Sequence, residues 1–267
     1  MSDAVQGSFS VLLAGKEDLR SDIVAAALAD FSGITTVDAA MAVRRGRGIV
    51  AEGLGQGEAE GLARRLIDAG VAAVAVEAAA LPVLPAAEIL SRAAPGPEGL
   101  RVSSRAAGER LLPWPRVRIV AVAPVNESIE SLLKTEEGPS GGEMAMRAGI
   151  MAVTGIPIGL GEKKKVEKKV VKIEFRLFLD LLLRGPSERL RAEATRFDFS
   201  GLGARKAYSS HLNMKALVEE ILRGAPRAAS SPGADLLLTG GRLSSLGYQS
   251  LADFEREERW LAAVAPA

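Results

Sequence analysis

One histidine and no cysteine stand among the 267 residues, so the side chains able to do nucleophilic or metal chemistry are few and easily named. His211 follows Ser209 and Ser210 and lies thirteen positions after Asp198. Serine catalysis needs a base within hydrogen-bond reach of the hydroxyl and an acid that orients that base. Neighbours in sequence rarely meet that demand, and no G-x-S-x-G elbow accompanies them, so His211 is expected at a helix start on the surface. The acid pairs Glu219-Glu220 and the run Glu255-Arg256-Glu257-Glu258 have the residue types for acid-base work or Mg²⁺ binding. Arginines alternate with them on helical stretches, and they read as solvated faces. Gly53-Leu54-Gly55-Gln56-Gly57 sits where a dinucleotide fingerprint would sit but lacks its spacing, and Gly159, Gly161, Lys163 and Gly201, Gly203, Lys206 lack that of a phosphate loop. The expected inventory is therefore no catalytic residue, no bound cofactor and no metal. Without cysteine, disulfides, thiolate catalysis, iron-sulfur clusters and the common zinc sites are excluded outright.

The stretch with the most unusual texture is Glu127 to Lys172. A Gly-Pro-Ser-Gly-Gly link at 138–142 precedes an apolar run from Met144 to Leu160, and Lys163, Lys164, Lys165, Lys168, Lys169 and Lys172 follow. An apolar loop beside a lysine cluster is the pattern by which peripheral proteins meet anionic membranes. Ile150, Ile156, Lys163, Lys164, Lys165, Lys168 and Lys169 are accordingly the candidate interaction surface. Glu162, Glu167 and Glu174 dilute the charge, and self-burial of the apolar part against a sheet is the favoured expectation. Nucleic acid is not an expected partner: few aromatics interleave the lysines, and 34 Lys+Arg against 33 Asp+Glu leave a net charge of +1.

The elements that must position these groups fall into two textures. Residues 1–7 are short and polar and are expected to be disordered. From 8 to 78 strand and helix alternate: Phe9–Leu13 as a strand, Asp18–Phe31 as an amphipathic helix, Thr36–Val43 as a second, Ile49–Ala51 as a brief strand, Gln56–Ala69 as a third helix closed by Gly70, and Val71–Val76 as a strand. A linker is placed at 79–88, overlapping the Pro- and Ala-rich passage Glu77–Pro85. Residues 89–226 read as short β segments joined by Gly and Pro turns, with 127–170 as an insertion. Val171, Ile173, Phe175, Leu177, Leu179 and Leu181 alternate with Lys172, Glu174, Arg176 and Asp180 as a half-buried strand, and Arg189–Phe199 follows as a strand with a bulge near Arg196. A Gly-rich loop at 200–209 leads to a helix over Ser210–Arg223. In 227–267, Asp235–Leu238 is expected as a strand, and a final helix begins at Leu251, capped by Ser250 and Asp253.

Gly33 to Val43, followed by Gly57 to Gly70, resembles the C-terminal domain of the bacterial ribosomal stalk protein, a fold shared with the Clp protease adaptor. The resemblance covers the first quarter of the chain and implies a small α/β sandwich with a protein-binding role. Thr35 and Asp38 fall near the positions where that family carries lysines that help receive translation factors. The later β segments, with Leu112-Pro113-Trp114 leading into a strand and a single late helix, are similar to bacterial pleckstrin-homology-like barrels. The predicted class is thus α+β: a small three-stranded α/β sandwich, then a mainly antiparallel β domain with a closing helix. The expected function is that of a cytoplasmic, non-catalytic adaptor for a protein partner. The alternatives are a hydrolase or transferase using Asp/Glu chemistry in the second domain and peripheral membrane binding through 144–172.

Overall fold

The computed structural model describes residues 8–19, 21–137, 164–185 and 188–265. Residues 1–126 with 175–267 form one compact unit, and residues 127–174 form another.

In the first unit β1 (Phe9–Leu13) is the centre of a three-stranded antiparallel sheet, flanked by β2 (Ile49–Leu54) and β3 (Ala73–Glu77). Between them run α1 (Ser21–Ser32), α2 (Thr36–Gly46) and α3 (Gln56–Asp68). Thr35 caps α2 by accepting the Asp38 N–H, and Arg47 closes it in the left-handed region at φ 52°. Leu62 and Leu66 of α3 and Val24 and Leu28 of α1 bury against Val11, Leu12 and Leu13. The passage Glu77–Pro85 lies inside this unit: Ala78–Ala80 make one 3-10 turn, and Leu81 is buried in the same core.

The second sheet has seven strands in the order β10-β7-β8-β9-β4-β5-β6, formed by β4 (Ala87–Pro95), β5 (Gly99–Ser104), β6 (Gly108–Pro113), β7 (Val117–Glu137), β8 (Lys164–Leu183), β9 (Arg189–Glu193) and β10 (Ala229–Ser230). It is mixed: β8–β9, β4–β5 and β5–β6 pair antiparallel, while β4–β9 and β10–β7 pair parallel. The residues of β7 and β8 that fall in 127–174 belong to the second unit.

Within the first unit this sheet is covered on both faces, as the period of two along its strands shows. Val120, Val122, Leu179, Leu181, Leu190 and Ala192 pack with α4 (Ser210–Gly224) and α5 (Pro232–Thr239). Ile119, Ala121, Ala123, Phe178 and Leu182 point the other way, into the core shared with the small sheet and α6 (Leu251–Val264). Trp260 of α6 anchors that junction, fully buried, with its Nε1 donating to the Leu13 carbonyl at 2.8 Å. Gly48 makes the approach possible: a Cβ there would stand 2.1 Å from the Trp260 ring.

Two expected strands need correction. Asp235–Leu238 is helical, part of α5, because Ser231 caps the start (Ala234 N to Ser231 Oγ, 3.1 Å), Pro232 takes the first turn and Gly240 ends it at φ 75°. Strand β9 stops at Glu193 rather than continuing to Phe199, and the chain turns there into a 3-10 segment, Phe199–Arg205, started by Asp198. That segment also occupies the first part of the expected loop at 200–209.

Candidate functional site

The C-terminal end of α2, strand β2 and the first turns of α6 enclose a cleft of about 1060 Å³. Five arginines line it: Arg44, Arg45 and Arg47 from the end of α2, and Arg256 and Arg259 from α6. The local sequence explains the concentration. Arg44-Arg45-Gly46-Arg47 puts cations in the last turn of α2, where the carbonyl end of the helix favours them. Arg256 and Arg259 are three apart and so share one face of α6.

Each carboxylate in the wall is already engaged. Glu52 binds Arg256 at 2.5 Å, Asp253 accepts the Gln249 N–H at 2.8 Å, and Glu255 accepts Arg189 Nη2 at 2.8 Å and Arg191 Nη2 at 3.4 Å. The carbonyl of Gly46, in the last turn of α2, receives Arg256 Nε at 3.2 Å. The side chains of Arg44, Arg45 and Arg259 make no hydrogen bond or ion pair with any described residue. Arg47 is fixed: its Nη1 donates to the Leu246 carbonyl at 2.6 Å, and its guanidinium lies 4.1 Å from the centroid of the Tyr248 ring.

Joined to the cleft through Glu255 is a layer of buried charge, whose Glu257 and Glu258 the sequence reading places on a solvated face. Asp180 and Glu258 are 0% exposed, and Arg189, Arg191 and Glu257 are also buried. Arg191 grips Asp180 with Nε at 2.8 Å and Nη2 at 2.7 Å, while Arg189 Nη1 reaches Glu258 Oε2 at 3.1 Å. Burial, and then the adjacent Asp180, push the Glu258 carboxyl well above the usual carboxylate range. Its Oε1 has no hydrogen-bond partner among the described residues. Glu257 faces Tyr248, whose hydroxyl donates to Oε2 at 2.6 Å; burial raises the Glu257 carboxyl to about 7 against the opposing pull of Tyr248 and Arg47. The expectation that Glu255-Arg256-Glu257-Glu258 forms a solvated face is therefore overturned for Glu257, which Tyr248 and Arg47 cover, and for Glu258, which meets Arg189 of β9.

Two carboxyls with raised pKa values are the usual signature of an acid-base pair, but proton transfer requires contact with the reacting molecule. Neither Glu257 nor Glu258 lines the cleft. They order the wall, and Glu255 is the member of the run that belongs to both layers.

The other sequence candidates are dispersed. His211 is exposed in the first turn of α4, and the Asp198 carboxylate is occupied by Ser200, through its N–H at 2.8 Å and its hydroxyl at 2.7 Å. Glu219 pairs with Arg205 at 3.5 Å, and Glu220 with Arg205 and Arg223. Ile150, Ile156 and Lys163 lie outside the described residues. Lys164, Lys165, Lys168 and Lys169 fall in β8, with side chains outside the description. Among the described residues no cluster of three or more His, Cys, Asp or Glu has a metal-binding arrangement. No single helix there is long and apolar enough to cross a membrane; the bent pair Asp22–Ser32 and Thr36–Gly46 passes a length and composition test only jointly.

Sequence reasoning missed the arginine cleft. Its one visible signal was the Arg44-Arg45-Gly46-Arg47 cluster, since the α6 arginines join it only through the tertiary fold. Comparison with known proteins found no matching family model, no matching curated protein and no matching solved structure.

Proposed function

We propose that the protein is a non-catalytic cytoplasmic adaptor that docks an amphipathic helix of a protein partner along the outer face of α2. The observation that carries this reading is an apolar stripe left uncovered on a well-anchored helix. Val37 is 69% exposed, and Ile34, just before α2, and Met41 are also exposed. Val37 and Met41 are one turn apart on the face opposite Ala39 and Val43, which are buried. Such a stripe is the footprint of helix-on-helix recognition, in which a few apolar side chains at i, i+3, i+4 and i+7 supply the contact. Arg44 continues the stripe one turn beyond Met41, so a partner helix bearing an acidic residue at that end is complementary in charge as well as in apolarity. The resemblance of residues 33–70 to the stalk and Clp adaptor domains supports the same class of work.

The test places a photo-crosslinking amino acid at position 37 in the native cell, with position 105 as an exposed control. A discrete crosslinked protein at position 37, absent at position 105, is expected. A purified partner so identified should lose binding to I34D/V37D by about tenfold or more, the scale of apolar anchors in small interfaces. The double variant should melt with the parent, since exposed substitutions change stability by about 0.5 kcal/mol or less. Equal yields at the two positions would overturn the reading.

A further inference from the structure

The α2 stripe leaves the neighbouring cleft unexplained, and its charge balance points to a ligand of a different kind. We propose that the arginine cleft is a binding site for a diphosphate group, held by Arg44 and Arg45 from one wall and Arg259 from the other.

Three observations converge on that assignment. The first is local charge. The acids of the wall, Glu52, Asp253 and Glu255, are each bound by groups of the protein, whereas Arg44, Arg45 and Arg259 are bound by no described residue. Like charges gathered around a concavity without partners focus a field that draws an anion in. The second is chemistry. A guanidinium presents a planar fork of donors that matches phosphate oxygens, and it keeps its charge at every physiological pH. Forks on two separate elements call for more than one anionic group on the ligand, because a lone carboxylate satisfies only one of them. The third is size. A cleft of about 1060 Å³ is at the upper end of small-molecule sites and much larger than a simple inorganic anion needs.

The scaffold supports the assignment. Arg256 is held between Glu52 and the Gly46 carbonyl, which offsets the negative end of α2. Arg47 is fixed against Tyr248 and Leu246, so its charge stays at the cleft without consuming a ligand bond. The start of α6 also opens onto the cleft through Gln249 and Asp253, with Ser250 as its cap accepting the Asp253 N–H at 3.2 Å. The net charge of +1 gives no whole-protein field, so the attraction of an anion to this cleft rests on the arginines gathered there.

Isothermal titration of the full chain with inorganic pyrophosphate tests the proposal, with ADP as a second arm. One-to-one binding is expected, weakening as salt rises. In R45A/R259A the Kd should increase about tenfold or more, as the loss of charge-assisted bonds requires. R45K/R259K keeps the charge without the fork and should fall between parent and alanine variant. ADP binding tighter than pyrophosphate identifies an organic diphosphate as the source, and equal affinity identifies the inorganic ion; both support the site. I34D/V37D should bind pyrophosphate as the parent does, which separates this site from docking on α2. Heats no larger than those of sulfate at equal ionic strength, or an unchanged Kd in R45A/R259A, would overturn the assignment.

Discussion

Helix α6 presents arginine-carboxylate chemistry in two opposite forms. On its buried side Glu258 closes a layer in which Asp180, Arg189 and Arg191 are bound to one another and shut off from water. On its open side Arg259 faces a cleft where its neighbours Arg44 and Arg45 also have no described partner. Glu255 joins the two, lining the cleft while accepting hydrogen bonds from both buried arginines. The residue types are the same, and solvent access decides their role. In the closed layer a missing partner costs desolvation that nothing returns, so charges come in matched sets. In the open cleft water and salt screen an unmatched cation, so the chain can hold one ready for a ligand at little expense in stability.

That contrast is broken most severely at Asp180. Replacing it by alanine leaves Arg191 without its bidentate acceptor and removes one of the three carboxylates near Arg189, at a site sealed from water. Breaking a buried pair in this way destabilises by about 3–5 kcal/mol. Denaturant unfolding of D180A should show that loss as a lower midpoint, and a loss below about 1 kcal/mol would mean that water reaches the layer.

A smaller effect is expected from pH, through Glu257. Its folded pKa of about 7 stands above the unfolded value of 4.5, so between these two the folded state holds the extra proton. The stability linked to that proton is fully present below 4.5 and is lost as pH rises through 7; a shift of this size corresponds to about 3 kcal/mol. Glu258 contributes with the same sign. E257Q keeps an acceptor for the Tyr248 hydroxyl without a titrating group, so unfolding measured from pH 5 to pH 8.5 should find it gaining on the parent as pH rises. Parallel curves for parent and E257Q would show that Glu257 remains ionised in its buried place.

The same residues show what was legible in the sequence. The alternation from Val171 to Leu181 located β8 and grouped Asp180 with Lys172, Glu174 and Arg176 on one face. Period two states which residues share a face, but whether that face is covered depends on an element eighty residues away. Here α6 covers it at Asp180, so a position that looked solvated is fully buried. Glu258 was misread for the same reason from the other side of the contact, and Glu257 because Tyr248 covers it. At Asp235–Leu238 the error was of another kind. A four-residue apolar run fits strand and helix alike, and Ser231-Pro232 before it and Gly240 after it were the helix signals that decide the matter. The three-stranded start of the chain was the most legible part, because caps, periodicity and turns agree there within about seventy residues. Its role as one wall of the arginine cleft was not, since Arg256 and Arg259 arrive from the far end of the chain.

The smallest expected effect sharpens the contrast at its open end. Arg45 and Arg259 give no hydrogen bond to a described residue, so truncating them leaves no acceptor stranded in the protein. Arg45 is exposed and Arg259 half-buried, and what alanine removes at each is chiefly a screened charge and some contact along the side-chain stem. Without ligand, R45A/R259A should therefore unfold within about 0.5 kcal/mol of the parent, as surface changes do. The sign of the residual difference is informative. If Arg44, Arg45 and Arg259 repel one another across the cleft, the double variant should be slightly the more stable at low ionic strength, with the gap closing as salt is added. A loss of several kcal/mol, insensitive to salt, would instead place these arginines among the matched charges of the closed layer and remove the distinction between the two sides of α6.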